Sequence, residues 1–212
     1  MSDGGQGRFI TVEGGEGVGK STQIKALAAA LRARGLSVVE TREPGGSPGA
    51  EAIRELLLHR EADAWSPRAE ALLFAAARSD HVRSLISPAL NAGQWVLCDR
   101  FIDSTRAYQG ESDGLSDADI MALHAIGSGG LMPDRTLLLA LSPQDTAARR
   151  AARALVRPDR FEDRTSAFHE KVSAAFDRIA SSEPARFRRI DAAGAPDAVT
   201  ARLIDALTDL VP

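Results

Sequence analysis

The sequence predicts an α/β domain built on a five-stranded parallel sheet with helices on both faces, and three observations carry that expectation. Short apolar runs rich in β-branched residues alternate with longer amphipathic segments along the whole chain, the order of a doubly wound sheet. The stretch Gly14-Gly15-Glu16-Gly17-Val18-Gly19-Lys20-Ser21-Thr22 fits G-x-x-x-x-G-K-[ST] and lies between the first such run and the first helix. The 212 residues, 44 % of them hydrophobic, suffice for one large domain, and no linker, repeat or low-complexity tract divides them.

Taken in order, Arg8 to Glu13 reads as a short buried strand. Ser21 to Arg34 reads as a helix with Ile24, Leu27, Ala28 and Leu31 on one face. Leu36 to Thr41 is the second strand, and Arg42-Glu43-Pro44-Gly45-Gly46 a turn-rich loop. Ala50 to Leu58 is a short helix. Ser66 as N-cap, Pro67 at N1 and Glu70 in the first turn open a long helix that runs to about Asn91, with a kink or break expected at Pro88. Trp95 to Cys98 is the third strand and runs into Asp99-Arg100. Asp103 to Gln109 and Asp117 to Ile126 are helical, Thr136 to Leu141 is the fourth strand, and Gln144 to Ala154 and Ser166 to Ser181 are helices. Phe187 to Ile190 is a short fifth strand and Ala198 to Leu210 a closing helix. Residues 1–7 are polar and Gly-rich without an apolar h-region, and are expected to be a flexible tail; residues 8–212 are expected to form a single domain.

Composition excludes several classes. A net charge of −3 argues against a general nucleic-acid binder. No apolar run approaches the roughly 20 residues a membrane helix needs. The single cysteine, Cys98, rules out an internal disulfide and suits a reducing, cytoplasmic setting.

The chemistry concentrates where strands end. In a parallel sheet, ligands bind beyond the carboxyl ends of the strands, so the Gly-rich loop, Arg42, Asp99 and Arg100 are expected to converge. Loop glycines allow backbone N–H groups to close on phosphate oxygens, and the helix N-terminus adds positive potential. In that motif Lys20 reaches the β- and γ-phosphates of a nucleoside triphosphate such as ATP, and the Ser21 hydroxyl ligates Mg²⁺. Asp99 fits a second contact to Mg²⁺, the alternative being a cap on the following helix. Arg149, Arg150, Arg153, Arg157, Arg160 and Arg164 surround a polar, Pro-containing interruption at 154–164 that suits a lid; a solvated helix face is the plainer alternative. Phe74, Arg78 and Gln109 suit stacking on and hydrogen bonding to a nucleobase, with Phe74 in the core as the alternative. A GTPase switch reading fails for lack of an Asn-Lys-x-Asp element, since the only asparagine, Asn91, precedes Ala-Gly. Another small-molecule kinase on the same fold stays open from pattern alone.

The chain resembles the thymidylate kinases over nearly its whole length. The matching segments are Phe-Ile-Thr-Val-Glu-Gly-Gly-Glu-Gly-Val-Gly-Lys-Ser-Thr from Phe9, Thr-Arg-Glu-Pro-Gly-Gly from Thr41, Leu-Phe-Ala-Ala-Ala-Arg from Leu73, Asp-Arg-Phe-Ile-Asp-Ser-Thr-Arg-Ala-Tyr-Gln-Gly from Asp99 and Pro-Asp-Arg-Thr-Leu-Leu-Leu-Ala-Leu from Pro133. The resemblance implies a three-layer P-loop nucleoside monophosphate kinase fold and transfer of the ATP γ-phosphoryl group to dTMP with Mg²⁺. It implies that Arg42 and Arg100 hold the dTMP phosphate and that Phe74 stacks on thymine while Arg78 bonds its edge. Ser104, Thr105 and Gln109 would line the base pocket, Tyr108 would crowd the ribose 2′ position, and Glu16 would reach the 3′-hydroxyl. Glu-Gly inside the loop resembles the bacterial subclass, which takes its catalytic arginine from the lid. Here that implies Arg153, with Arg149 also on the ATP side. Relatives form homodimers through the long helix and often carry a cis Glu-Pro peptide, here Glu43-Pro44. Ala140 departs from the aspartate that relatives often carry at the end of the fourth strand.

Overall fold

The computed structural model describes residues 7–58, 65–112, 115–142, 145 and 165–211. Five strands, β1 (Phe9–Glu13), β2 (Val38–Arg42), β3 (Trp95–Asp99), β4 (Arg135–Ala140) and β5 (Phe187–Asp191), form one parallel sheet in the order β2-β3-β1-β4-β5. Around it pack α1 (Lys20–Ala33), α2 (Pro48–Leu58), α3 (Pro67–His81), α4 (Ser87–Asn91), α5 (Ile102–Ser112), α6 (Asp117–Ser128), α7 (Ser166–Ser182) and α8 (Pro196–Asp205). The strand order reverses at β1, so the chain ends of β1 and β3 flank the crevice where such sheets bind ligands.

The period of two along each strand sorts the core into layers. Ile10 and Val12, Trp95 and Leu97, and Leu137 and Leu139 meet Leu27, Leu31, Val199 and Leu203 of α1 and α8. On the opposite face Phe9, Val96 and Cys98 pack with Ala71, Ile86, Phe101 and Ile120. Leu138 joins Tyr108, Val172 and Phe176 there. That second face is partly polar: Thr11 and Thr136 share a hydrogen bond of 3.0 Å between neighbouring strands, and Glu13 ends β1 fully buried.

Helix α5 is fastened by a buried charge network. Asp103, with no solvent exposure, accepts both terminal nitrogens of Arg186 at 2.7 Å and Arg106 at 3.1 Å. Arg106 also donates to Asp117 and Glu183, tying α5 to α6 and to the segment after α7.

Three expectations change. The segment from Pro67 to Asn91 is not interrupted at Pro88; the irregularity precedes it, as a π-helical stretch over Val82–Ile86 in which Ser87 N–H donates to Val82 O. Proline removes one donor and crowds the carbonyl four residues back, and the widened turn just upstream relieves both demands. Ser66 does cap α3, its hydroxyl accepting Ala69 N–H at 3.3 Å. Gly7, assigned to the tail, instead lies so close to Leu90 and Gln94 that a Cβ there would collide with their carbonyl oxygens. The strand ends also shift by one or two residues, so that Arg42 and Asp99 are the last residues of β2 and β3. The helix expected over Gln144 to Ala154 and the lid at 154–164 fall almost wholly outside the described residues.

Candidate active site

The loop between β1 and α1 is shaped by glycine. Gly14 has φ 137° and an added Cβ would collide with the Leu139 carbonyl oxygen, so only glycine fits. Gly17 and Gly19 also take positive φ. Gly19 caps α1 without a side chain, so the first-turn N–H groups keep their capacity for an anion. Gly17, Gly19, Lys20, Ser21 and Thr22 line a cavity of about 640 Å³ together with Glu16. Val18 does not line it; its side chain is buried in the core with Ile24 and Leu27, leaving only its backbone to the loop. Lys20 is buried and donates to the carbonyls of Gly14 (3.1 Å) and Gly15 (2.9 Å). Burial, then the nearby Arg100 charge, lowers its pKa against the pull of Glu16 and Asp99.

The ends of β2 and β3 bring Arg42, Asp99 and Arg100 to the same cavity. Arg42 is half-exposed and donates to Glu51 at 3.1 and 3.2 Å. Asp99 accepts the Ser21 hydroxyl at 2.9 Å, and this, rather than capping α5, is its bond. Its Oδ1 is buried without a hydrogen-bond partner among the described residues. A serine hydroxyl beside a carboxylate with one unspent buried oxygen is a hard-oxygen donor pair of the type Mg²⁺ takes, together with nucleotide oxygens.

Arg100 has φ 67°, the one described non-glycine residue with positive φ. The left-handed conformation costs an L-residue roughly 1–2 kcal/mol and persists where surrounding bonds over-determine it. Its guanidinium donates to Gly14 O at 3.1 Å, Ser104 Oγ at 3.0 Å, Tyr108 Oη at 3.2 Å and Glu16 Oε1. The Tyr108 hydroxyl also donates to Glu16 Oε1 at 2.8 Å. Burial alone would push the Glu16 carboxyl up, but Arg100 and Lys20 beside it, with the Tyr108 bond, pull it down to about 2. Glu16 is therefore a fixed anion among cations.

The same cavity is also lined by Phe74 and Arg78 of α3 and by Ser104, Thr105, Tyr108 and Gln109 of α5. Phe74 is half-buried, between core and cavity, so it lies in neither alternative alone. Arg78 is only 2 % exposed and commits Nε to Glu43 Oε2 and Nη2 to Thr105 Oγ1, both at 2.8 Å. Gln109 donates to Glu70 Oε1 at 2.7 Å. The peptide Glu43-Pro44 is cis.

Several residues of the site escape the motifs. Glu43 bridges Arg78 and His81, whose Nδ1 is 3.0 Å away, and His81 Nε2 lies 2.7 Å from Thr41 Oγ1. Arg54, Leu58 and Phe101 also line the cavity. Glu13 accepts Phe101 N–H at 2.8 Å and the Ser104 hydroxyl at 2.6 Å. Burial, then Asp103, raises its pKa to about 7 against the pull of Arg100. Glu13, Glu43 and Phe101 fall inside the matching segments, but nothing in the sequence assigns their side chains these partners. Arg149 and Arg153 lie outside the described residues.

Comparison with known proteins places this geometry. The model of the family described as thymidylate kinase matches residues 12–203. A thymidylate kinase of Rhizorhabdus wittichii is 66% identical over 206 residues, covering 97% of this chain and 99% of its own. One from Caulobacter vibrioides is 52% identical over 202 residues, covering 95% and 96%. The crystal structure of a thymidylate kinase from Ehrlichia chaffeensis superposes with a TM-score of 0.77 at 31% identity, over 95% of this chain and 99% of that one.

Proposed function

The chain belongs to the thymidylate kinase family, and on that footing we propose that it transfers the γ-phosphoryl group of ATP, with Mg²⁺, to the 5′-phosphate of dTMP, giving dTDP and ADP. One observation carries the site assignment: a single cavity is lined by the phosphate loop with its Lys20, by Arg42, Asp99 and Arg100, and by Phe74, Arg78, Tyr108 and Gln109. That is chemistry for a donor phosphate chain and a phosphorylated acceptor in one place.

The acceptor phosphate has its second pKa near roughly 6, so at neutral pH it is already a nucleophile and needs no general base. The difficulty is anion meeting anion, which fixed cations relieve. Lys20 and the loop amides hold the donor phosphates. Arg42 and Arg100 hold the acceptor phosphate and align it for in-line transfer. Ser21 and Asp99 would hold Mg²⁺, which would supply charge neutralisation on the donor oxygens. Glu16 faces the sugar and neutralises Arg100 between turnovers. Arg153 is the catalytic arginine of this reading and Arg149 a second contact on the ATP side. An arginine acting this way is worth about 10³-fold or more in rate.

A cytoplasmic homodimer belongs to the same proposal. Among the described residues no helix is long and apolar enough to cross a membrane. Helix α3 packs between α2 and α6, and the three carry the exposed Leu56, Leu72 and Ile126. Sedimentation at micromolar concentration tests the dimer; a monomer there removes it.

ADP release measured over dTMP, dUMP, AMP and thymidine tests the activity. Turnover is expected with dTMP, and none with thymidine, which offers a hydroxyl in place of the phosphate that Arg42 and Arg100 would hold. AMP turning over as well as dTMP would overturn the substrate assignment.

A further inference from the structure

The left-handed turn at Arg100 is held by two consecutive residues of β1. Arg100 N–H donates to Val12 O at 3.1 Å, and the next amide, Phe101 N–H, donates to the Glu13 carboxylate at 2.8 Å. The other Glu13 oxygen accepts the Ser104 hydroxyl at 2.6 Å, and Ser104 Oγ accepts Arg100 Nη1 at 3.0 Å. One buried carboxylate thus fixes both the backbone just after Arg100 and, through Ser104, the guanidinium itself. We propose that Glu13 is a positioning residue that aims Arg100 at the acceptor phosphate; the proposal rests on the reading of Arg100 given above.

Two physical points separate this from ordinary packing. An exposed strand end could leave Phe101 N–H to water or to a neutral partner. Here the acceptor is a carboxyl with no solvent exposure, an arrangement whose desolvation is costly. The strained φ of 67° at Arg100 needs restraint on both sides of the residue, and Glu13 is the restraint on its C-terminal side. No group in the proposed chemistry requires Glu13 to touch either substrate.

The test is a double-mutant cycle of Glu13→Gln with Arg100→Ala, read as kcat and KM for dTMP and for ATP separately. Glutamine keeps the size but presents an NH₂ where both neighbours are donors. Glu13→Gln is expected to lower kcat/KM for dTMP by on the order of 100-fold, the cost of misplacing an aligning group by about 1 Å, while KM for ATP moves less than about 2-fold. In the Arg100→Ala background it should cost nothing further, because the residue it positions is gone. Ser104→Ala, which removes the link from Glu13 to the guanidinium but leaves Phe101 N–H on Glu13, should show the same lack of additivity with Glu13→Gln, and its cycle with Arg100→Ala carries the test if Glu13→Gln does not fold. Losses that multiply, or a KM for ATP that rises with that for dTMP, would overturn the proposal. A normal Glu13→Gln beside an impaired Arg100→Ala would overturn it alone. A normal KM for dTMP in Arg100→Ala would overturn the phosphate assignment of Arg100 and this proposal together.

Discussion

At the scale of single residues, the centre of the site is a group of three side chains that share one oxygen. Glu16 Oε1 accepts from both Arg100 and Tyr108, so the tyrosine does two separable jobs. In the proposed reading its ring is bulk beside the sugar, while its hydroxyl helps fix the carboxylate. Tyr108→Phe keeps the ring and removes a hydrogen bond to a charged acceptor, worth about 1.5–3 kcal/mol. The expected result is a kcat/KM for dTMP lowered roughly 10- to 100-fold, with the preference for deoxyribose retained. Tyr108→Ala should lose that preference as well. Parallel kinetics on dTMP and its ribonucleotide counterpart check both; a ribo-to-deoxy ratio unchanged in Tyr108→Ala would remove the sugar-gate role. Lysine at position 20 is expected to behave differently. It sits among loop carbonyls, so Lys20→Ala should abolish turnover while leaving the fold intact, as read by an unchanged circular dichroism spectrum.

At the scale of elements, α5 matters most, because it presents Ser104, Thr105, Tyr108 and Gln109 on one side and is fastened on the other. The fastening is Asp103, wholly buried between Arg106 and Arg186. Removing one partner of a buried ion pair leaves uncompensated charge and costs about 3–5 kcal/mol. Asp103→Asn, which keeps the shape, is therefore expected to lower the melting temperature by roughly 6–20 °C for a chain of this size. Asp103 is not among the residues lining the cavity, so KM for ATP should hold in the variant at temperatures where it is folded. A thermal melt with an unchanged midpoint would show that the network contributes little. This network also marks the limit of what sequence conveys. The strands and helices were legible because their burial has a period, two or 3.6 residues, that local sequence records. The motif residues Lys20, Ser21, Arg42 and Asp99 were legible because chain order and sheet topology together place strand ends in one crevice. Asp103, Glu43, His81 and Glu13 were not. Their partners lie 83, 35, 40 and 88 residues away, and a buried carboxylate looks in sequence like a solvated one. The π-helical turn before Pro88 was likewise hidden, because the strain is visible in the proline but the place of its relief is not.

At the scale of the whole molecule, stability against pH joins these buried groups, because burial with opposite neighbours drives two glutamates in opposite directions. Glu13 is raised from 4.5 to about 7 by burial and by Asp103. Its protonated form is favoured by folding, so its contribution to stability is complete below pH 4.5 and is lost as pH rises through about 7. Glu16 is lowered from 4.5 to about 2, Arg100 and Lys20 outweighing burial. Its contribution is complete above pH 4.5 and is lost as pH falls through about 2. The two effects leave their joint optimum near pH 4.5, well below the pH at which the acceptor phosphate becomes dianionic. The catalytic arrangement is thus held, in the working range, at a cost set by Glu13 of about 3 kcal/mol. Glu13→Gln removes that titration. The stability of the wild-type chain relative to the variant should therefore fall between pH 4.5 and 7, by denaturant midpoints taken at matched ionic strength, and level off above. Glu16→Gln should instead alter the profile only between pH 2 and 4.5. Parallel profiles for wild type and Glu13→Gln across pH 4.5–7 would mean that the buried carboxyl at the end of β1 is not raised, the charge on Arg100 offsetting or outweighing its burial.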